Sequence, residues 1–161
     1  MDVAFKRFSD FQRGTMYELL KDAYAFESRY ERDWDGEWKK ADAFFYENLH
    51  IADECGFITT LDHTAIGFIC WDPRNIPKYI EIGHNCIVSE YKGKGYGKRQ
   101  LQEAVKRISS KNVRKIVVTT DERLFPAQKN YERAGFQFIQ YRKNKRNSVY
   151  AGKLMDYEIL L

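Results

Sequence analysis

"IVSEYKGKGYGKRQL", Ile87 to Leu101, sets glycines at 93, 95 and 97 among lysines, between an apolar run and a run of helical periodicity. A loop leading from a strand into a helix points main-chain N–H groups at whatever lies above the helix N-terminus, where the helix dipole adds partial positive charge. Glycines remove the Cβ atoms that hold a ligand off the backbone, and they accept φ values that other residues avoid. Lys92, Lys94 and Lys98 add mobile positive charge. The combination suits a phosphate-bearing ligand. The plainer reading is a basic surface turn, but the carboxyl end of a βαβ strand is where such sheets bind ligands.

The flanking sequence supplies that βαβ unit. "KYIEIGHNCIV" reads as a strand, and from about Gly95 to Asn112 the residues Leu101, Ala104, Val105 and Ile108 mark one face of a helix, with Asn112 as its stop. "RKIVVTT" is a short buried strand, so a parallel right-handed crossover is expected. Upstream, "DVAFKRF" predicts a first strand and Thr15 to about Tyr30 a helix. Gly36 ends or interrupts that region, and "EWKKADAFFYENL" gives a second short helix. "CGFITTL" and "AIGFICWD" around "DHT" predict a hairpin. Downstream, "FPAQKNYERAGF" predicts a short helix from Pro126 to its stop at Gly135, and "FQFIQYR" and "KLMDYEIL" a long-looped final hairpin.

Spacing excludes two common phosphate loops. A dinucleotide fingerprint starting at Gly93 and Gly95 needs Gly or Ala where Lys98 stands. A Walker A loop ending at Gly97-Lys98 needs Gly and Ser or Thr where Lys92 and Arg99 stand.

Composition sets the outer bounds. The 161 residues suit a single domain over 1–161, and 43% hydrophobic with 16% aromatic residues is a globular composition. A net charge of +4 is too small and too dispersed to point to nucleic acid. Cys55, Cys70 and Cys86 lie in apolar runs without C-x-x-C spacing and read as reduced core residues; His50, His63 and His84 lack ligand spacing, so no metal is expected. No run approaches a membrane span and the N-terminus has no leader pattern, so a soluble cytoplasmic protein is expected.

"YKGKGYGKRQL" resembles the pyrophosphate loop of the GNAT superfamily of acyl-CoA N-acyltransferases, whose pattern is Arg or Gln, two residues, Gly, one residue, then Gly or Ala. Lys92, Gly95 and Gly97 hold those places, with Lys replacing the usual first residue. The family's second hallmark, a Tyr followed shortly by Gly-Phe, stands as Tyr131, Gly135 and Phe136 in "NYERAGF". The Asn that the family often carries seven residues before that Tyr is Leu124 here, and its contact is not carried over.

The resemblance implies an α/β (α+β) fold: a central mixed sheet of about six to seven strands, four or so helices, and a pyrophosphate loop between strand 4 and helix 3. It implies acetyl-CoA as donor co-substrate, gripped by the main chain of Cys86, Ile87 and Val88 and by Lys92, Gly93, Lys94, Gly95, Tyr96, Gly97 and Lys98, with the Ile87 N–H polarising the thioester carbonyl. The acceptor partner is an amine; a homodimer is left open.

An alkylamine with a pKa near ~10.4 must lose a proton before it attacks. Strand alternation puts Glu81, Gly83, Asn85 and Ile87 on one face, and Glu81-Ile82 matches the "E-I" pair in which some histone-acetyltransferase-like members carry their general base. The alternative is a strand carboxylate paired with a surface base. Tyr131 is expected, from its family position, to protonate the departing thiolate; the alternative is sheet packing. His84 falls on the opposite face and reads as a core or edge histidine.

The segment from Tyr24 to Tyr46 mixes Phe26, Tyr30, Trp34, Trp38 and Phe45 with Glu27, Glu31, Asp33, Asp35 and Glu37. It would suit a cationic amine, although Arg29, Arg32, Lys39 and Lys40 nearly cancel the acids, as on an ordinary solvated helix. The basic run Arg142–Ser148 would suit RNA, ribosome or another acidic partner, but with no aromatic interleaved it reads as a solvated loop.

The function expected is direct transfer of an acetyl group to a primary amine of a small molecule in a ternary complex. A protein lysine or N-terminal acetyltransferase is the first alternative, and a non-catalytic acyl-CoA-binding regulatory module the second.

Overall fold

The computed structural model describes residues 1–144 and 152–161. Seven strands, β1 (Val3–Lys6), β2 (Gly56–Leu61), β3 (Thr64–Asp72), β4 (Ile80–Ile87), β5 (Lys115–Asp121), β6 (Gln137–Arg142) and β7 (Leu154–Leu160), form one mixed sheet in the order β1-β2-β3-β4-β5-β7-β6. Among the described residues five α-helices accompany it: α1 (Thr15–Ala23), α2 (Ser28–Glu47), α3 (Leu49–Glu54), α4 (Tyr96–Ser109) and α5 (Phe125–Arg133). The chain divides into two compact units, Met1–Cys70 with His84–Gln100, and Trp71–Gly83 with Leu101–Leu161.

In the first unit, β1 pairs antiparallel with β2 and β2 with β3. The β2–β3 hairpin turns through Asp62 and His63, whose φ values of 47° and 72° give the left-handed two-residue turn that matches strand twist. Phe8, Met16, Leu20, Phe57, Ile58 and Phe68 are buried at its core, with the Phe8 ring set edge-on to Phe45 and Phe68. The α2 residue Asp42, itself buried, caps α1: its carboxylate accepts the N–H groups of Gly14 (2.9 Å), Met16 (3.1 Å) and Tyr17 (3.3 Å). Three donors that an isolated helix start leaves without partners are met by one side chain.

The helices here differ from the sequence expectation. The break falls between Ala23 and Ser28, where the Glu27 carboxylate accepts the Arg29 N–H at 3.2 Å as an N-cap, and Gly36 lies inside α2 instead of ending a helix. An interior glycine costs a helix about 1 kcal/mol relative to alanine. Burial of Tyr30 on one side of it and of Trp38 and Asp42 on the other, with an Asp35–Lys39 ion pair across it at 2.9 Å, outweighs that penalty. The N-terminal region therefore holds three helices, and the glycine loop precedes the fourth helix, not the third.

In the second unit, β4 pairs parallel with β5 over Ile80–Ile82 and Ile116–Val118, while β4 itself continues to Ile87. β5 alternates as expected, with Ile116, Val118 and Thr120 buried. On α4, Leu101, Ala104 and Ile108 are fully buried. β7 lies between β5 and β6, antiparallel to both. The base of the final hairpin is pinned by side chains: Gly152 donates its N–H to Asp121 (3.0 Å) and Lys153 to Glu122 (2.9 Å). The part of the Arg142–Ser148 run beyond Asn144 lies outside the described residues.

All three cysteines are buried and unpaired with one another. Among the described residues no helix is long and apolar enough to cross a membrane.

Candidate active site

Beyond β4 the chain makes a short turn at Ser89–Tyr91 and then bends at Gly93 (φ 74°) and Gly95 (φ 91°) before α4 begins at Tyr96. A Cβ at either glycine would meet no protein atom within 4 Å, so the left-handed backbone, and not crowding, demands glycine there. The bend opens the loop toward the N-terminal end of α4, where backbone donors and the helix dipole favour an anion. Lys94 lies over the Tyr91 ring, 5.5 Å from its centre, and Tyr91 is edge-on to Tyr96.

Lys92 is committed elsewhere. Its ammonium donates to the carbonyl of Ala23, at the end of α1, and lies 4.5 Å from the centre of the Phe26 ring. Partial withdrawal from water pulls its pKa below the ordinary lysine value. The same helix end is bolted to the loop by Ser89, whose N–H donates to the Asp22 carboxylate and whose hydroxyl donates to the Asp22 carbonyl, both at 2.8 Å.

At the end of β4, the Val88 N–H goes to the Ile66 carbonyl (2.8 Å), and the Val88 carbonyl accepts from Tyr91 (3.0 Å). The Cys86 carbonyl accepts from Gln100 Nε2 at 3.2 Å. Burial pushes the Cys86 thiol up to about 12, so it is not a thiolate nucleophile at neutral pH. Cys70 is pushed up to about 12 for the same reason. His84, half-buried beside Phe68, is driven toward its neutral form by burial.

Glu81 and Tyr131 belong to the second unit. Glu81 is half-buried on β4 opposite Val117; Asp72 raises the pKa of Arg74 and Asp156 that of Arg142, with the charge of Glu81 a minor addition to each. Each arginine has a closer carboxylate: Arg74 binds Asp72 at 2.7 Å and Arg142 grips Asp156 at 2.5 and 2.8 Å. Asp156 also accepts from Thr119 (2.7 Å) and Gln140 (3.0 Å), and Arg142 above all holds its carboxyl down at about 2.

Tyr131 is buried on α5, its ring against Phe136 and Tyr157. The "NYERAGF" signature is a helix stop of Schellman type. Phe136 donates to the Tyr131 carbonyl (3.0 Å), Gly135 donates to the Glu132 carbonyl (3.1 Å), and Gly135 takes φ 98°. The Tyr131–Phe136 ring contact is the hydrophobic clasp that accompanies such a stop.

The aromatic and acidic stretch of α1 and α2 is largely spoken for. Trp38 is buried and stacked on Tyr24, and Phe45 packs on Phe8. Glu27 pairs with Arg29, Asp33 with Arg32, Glu31 with Lys21 and Asp35 with Lys39, while Tyr17 donates to Asp35 at 2.5 Å. This matches the mixed-charge helix reading better than an acidic wall.

Sequence reasoning missed Gln100, a fully buried glutamine that binds four groups of the first unit. The available signal was spacing: 100, 104 and 108 fall on one helix stripe, whose other two members are the apolar Ala104 and Ile108.

The sequence model of the Acetyltransferase (GNAT) family matches residues 14–136, and the chain belongs to that family. Solved structures share its fold. A GNAT-family protein from Desulfovibrio desulfuricans is 20% identical over 99% of both chains, with a TM-score of 0.77. The ribosomal-protein-S18-alanine N-acetyltransferase of Escherichia coli is 14% identical over 99% of this chain and 92% of its own, with a TM-score of 0.72. A GNAT family acetyltransferase from Elizabethkingia anophelis with acetyl-CoA bound is 15% identical over 99% of this chain and 97% of its own, with a TM-score of 0.69. Comparison with curated proteins returned no match.

Proposed function

We propose that this chain transfers an acetyl group from acetyl-CoA directly to a primary amine of a small molecule. The observation that supports the donor most is the left-handed pair Gly93 and Gly95 at the entrance to α4, clear of other protein atoms. The donor is a thioester whose diphosphate suits the amides of Gly93 to Lys98 and the charges of Lys94 and Lys98. Lys92, held by Ala23, serves this loop from its base by fixing it to α1.

In this reading Glu81 accepts the proton that the attacking amine sheds. The Ile87 N–H steadies the negative charge that forms on the carbonyl oxygen; a positioned donor of this kind is worth about 3–4 kcal/mol in the transition state. The carbon–sulfur bond breaks as the amide forms, and Tyr131 returns a proton to the leaving sulfur, giving the acetylated amine and free CoA thiol. The thiol of Cys86, pushed up to about 12, has no part in it.

Thiol release with acetyl-CoA over a panel of small amines, polyamines and peptides tests the proposal. Turnover on peptides alone would reassign the acceptor to a protein amine, and CoA binding without thiol release from any acceptor would make the chain a binding module. Glu81→Gln is expected to lower turnover about a hundredfold near neutral pH and to leave CoA affinity nearly intact. Its deficit should shrink as pH climbs toward the amine's own pKa near ~10. An unchanged pH–rate profile removes Glu81 from the mechanism, and a Tyr131→Phe variant with wild-type rates assigns that tyrosine to packing.

A further inference from the structure

The end of β4 has an internal brace. Gln100, with no exposed surface, reaches from the first turns of α4. The two protons of its Nε2 serve three acceptors, the Phe68 carbonyl (2.9 Å), Asn85 Oδ1 (2.8 Å) and the Cys86 carbonyl (3.2 Å), one proton being shared, and its Oε1 accepts the Thr59 hydroxyl at 2.7 Å. Two carbonyl oxygens can be met only by a donor, which fixes the orientation of this amide. Gly67 completes the arrangement from β3. A Cβ there would fall on the Cys86 carbonyl oxygen and lie 2.7 Å from Ile87 Cδ1 and 3.1 Å from Gln100 Oε1.

The Cys86 carbonyl and the Ile87 N–H belong to one peptide group, rigid and planar. The bond is not among the cis peptides, so its N–H points away from its carbonyl. Whatever holds the carbonyl therefore aims the N–H. A hydrogen bond into the carbonyl also draws electron density along the amide and strengthens the N–H as a donor.

We infer that Gln100 is a positioning residue for acetyl transfer: by clamping the Cys86–Ile87 peptide from the carbonyl side, with Gly67 giving it room, it aims the Ile87 N–H at the thioester carbonyl. This rests on the proposed role of Ile87. Gln100 touches neither substrate, and acts only through that peptide.

The thioester itself can report the effect, without knowledge of the acceptor. In infrared difference spectra with carbonyl-labelled acetyl-CoA, the bound thioester band of the wild-type protein should move to lower wavenumber than in water. In Gln100→Met, of similar bulk but without the donor, the band should return most of the way to its solution position. CoA affinity by calorimetry should change less than about threefold, and turnover should fall about tenfold to a hundredfold, less than the roughly hundredfold to thousandfold for losing one such donor outright, because the Ile87 N–H is misaimed and not removed. Gly67→Ala, which pushes directly on the same Cys86 carbonyl oxygen, should shift the band likewise and decides alone if Gln100→Met does not fold. Gln128→Met is the control: that glutamine donates to the Glu122 carbonyl at 2.9 Å, and its loss should leave the band in place. A wild-type band position in folded Gln100→Met, or in Gly67→Ala where that variant decides, overturns the inference while leaving the Ile87 reading intact. No shift in the wild-type complex overturns the Ile87 reading, and this inference with it.

Discussion

The Cys86–Ile87 end of β4 and the strand β6 both make internal hydrogen bonds, but the first is bound by a buried side chain and the second lies open to water. At the first, main-chain and side-chain groups are consumed internally: Val88 by Ile66, and Cys86, Phe68, Asn85 and Thr59 by the single side chain of Gln100. Along β6 every residue is exposed, including Phe138, Ile139 and Tyr141, and the strand has one neighbour, β7. Internal commitment makes a segment rigid and intolerant, because a buried group that loses its partner keeps its full desolvation cost. An exposed strand at a sheet edge has water to fall back on. The contrast argues that precision in this fold is concentrated where β4 meets α4.

The largest test of that contrast is Gln100→Leu. It leaves the Thr59 hydroxyl and two buried carbonyls without their partner, and should lower unfolding free energy by about 3 kcal/mol, at about 1–3 kcal/mol for each group left unmet. A denaturant midpoint within error of the wild type would mean that the internal network contributes nothing special. Asp42→Ala comes next, at about 2 kcal/mol, the upper range for an N-cap, since three α1 donors lose one carboxylate.

Smaller still is the effect of Asp156, on β7 beside the exposed strand. Its carboxyl lies at about 2 when folded, against an ordinary 3.8, chiefly through Arg142. A depressed carboxyl stabilises fully above its unfolded value and loses that contribution as pH falls through the folded one. Wild-type stability should therefore decline between about pH 4 and pH 2 more steeply than that of Asp156→Asn. Equal slopes in acid titrations of the denaturant midpoint would contradict this. At the bottom of the scale, Ile139→Thr on β6 should shift stability by less than about 0.5 kcal/mol. A loss of several times that would reveal an edge more dependent on its side chains than its exposure indicates.

Sequence pattern carried much of the fold because the β4–α4–β5 unit is locally consistent. Leu101, Ala104 and Ile108 keep helical spacing, and Ile116 and Val118 keep strand alternation. The α1–α2 region departs from its sequence pattern because the buried Tyr30, Trp38 and Asp42 hold the helix on both sides of Gly36, which local propensity does not register. In the candidate site, the glycines of the loop were legible from their type alone. Gln100 was not, because a glutamine at a buried position counts as polar and outward until its partners are known. Lys92 is expected from the sequence to grip the diphosphate, whereas its ammonium is held by the Ala23 carbonyl, 69 residues distant and beyond any local pattern.

Gly36 offers an experimental handle. It sits in helical backbone where a Cβ would meet no atom within 4 Å beyond the adjacent backbone of its own helix, so a cysteine fits there and trades the poorest helix former bar proline for a better one. The native thiols at 55, 70 and 86 are all buried, which leaves an introduced surface thiol as the preferred target of a dye or spin label. A reporter at that point would follow α2 directly as ligands are titrated.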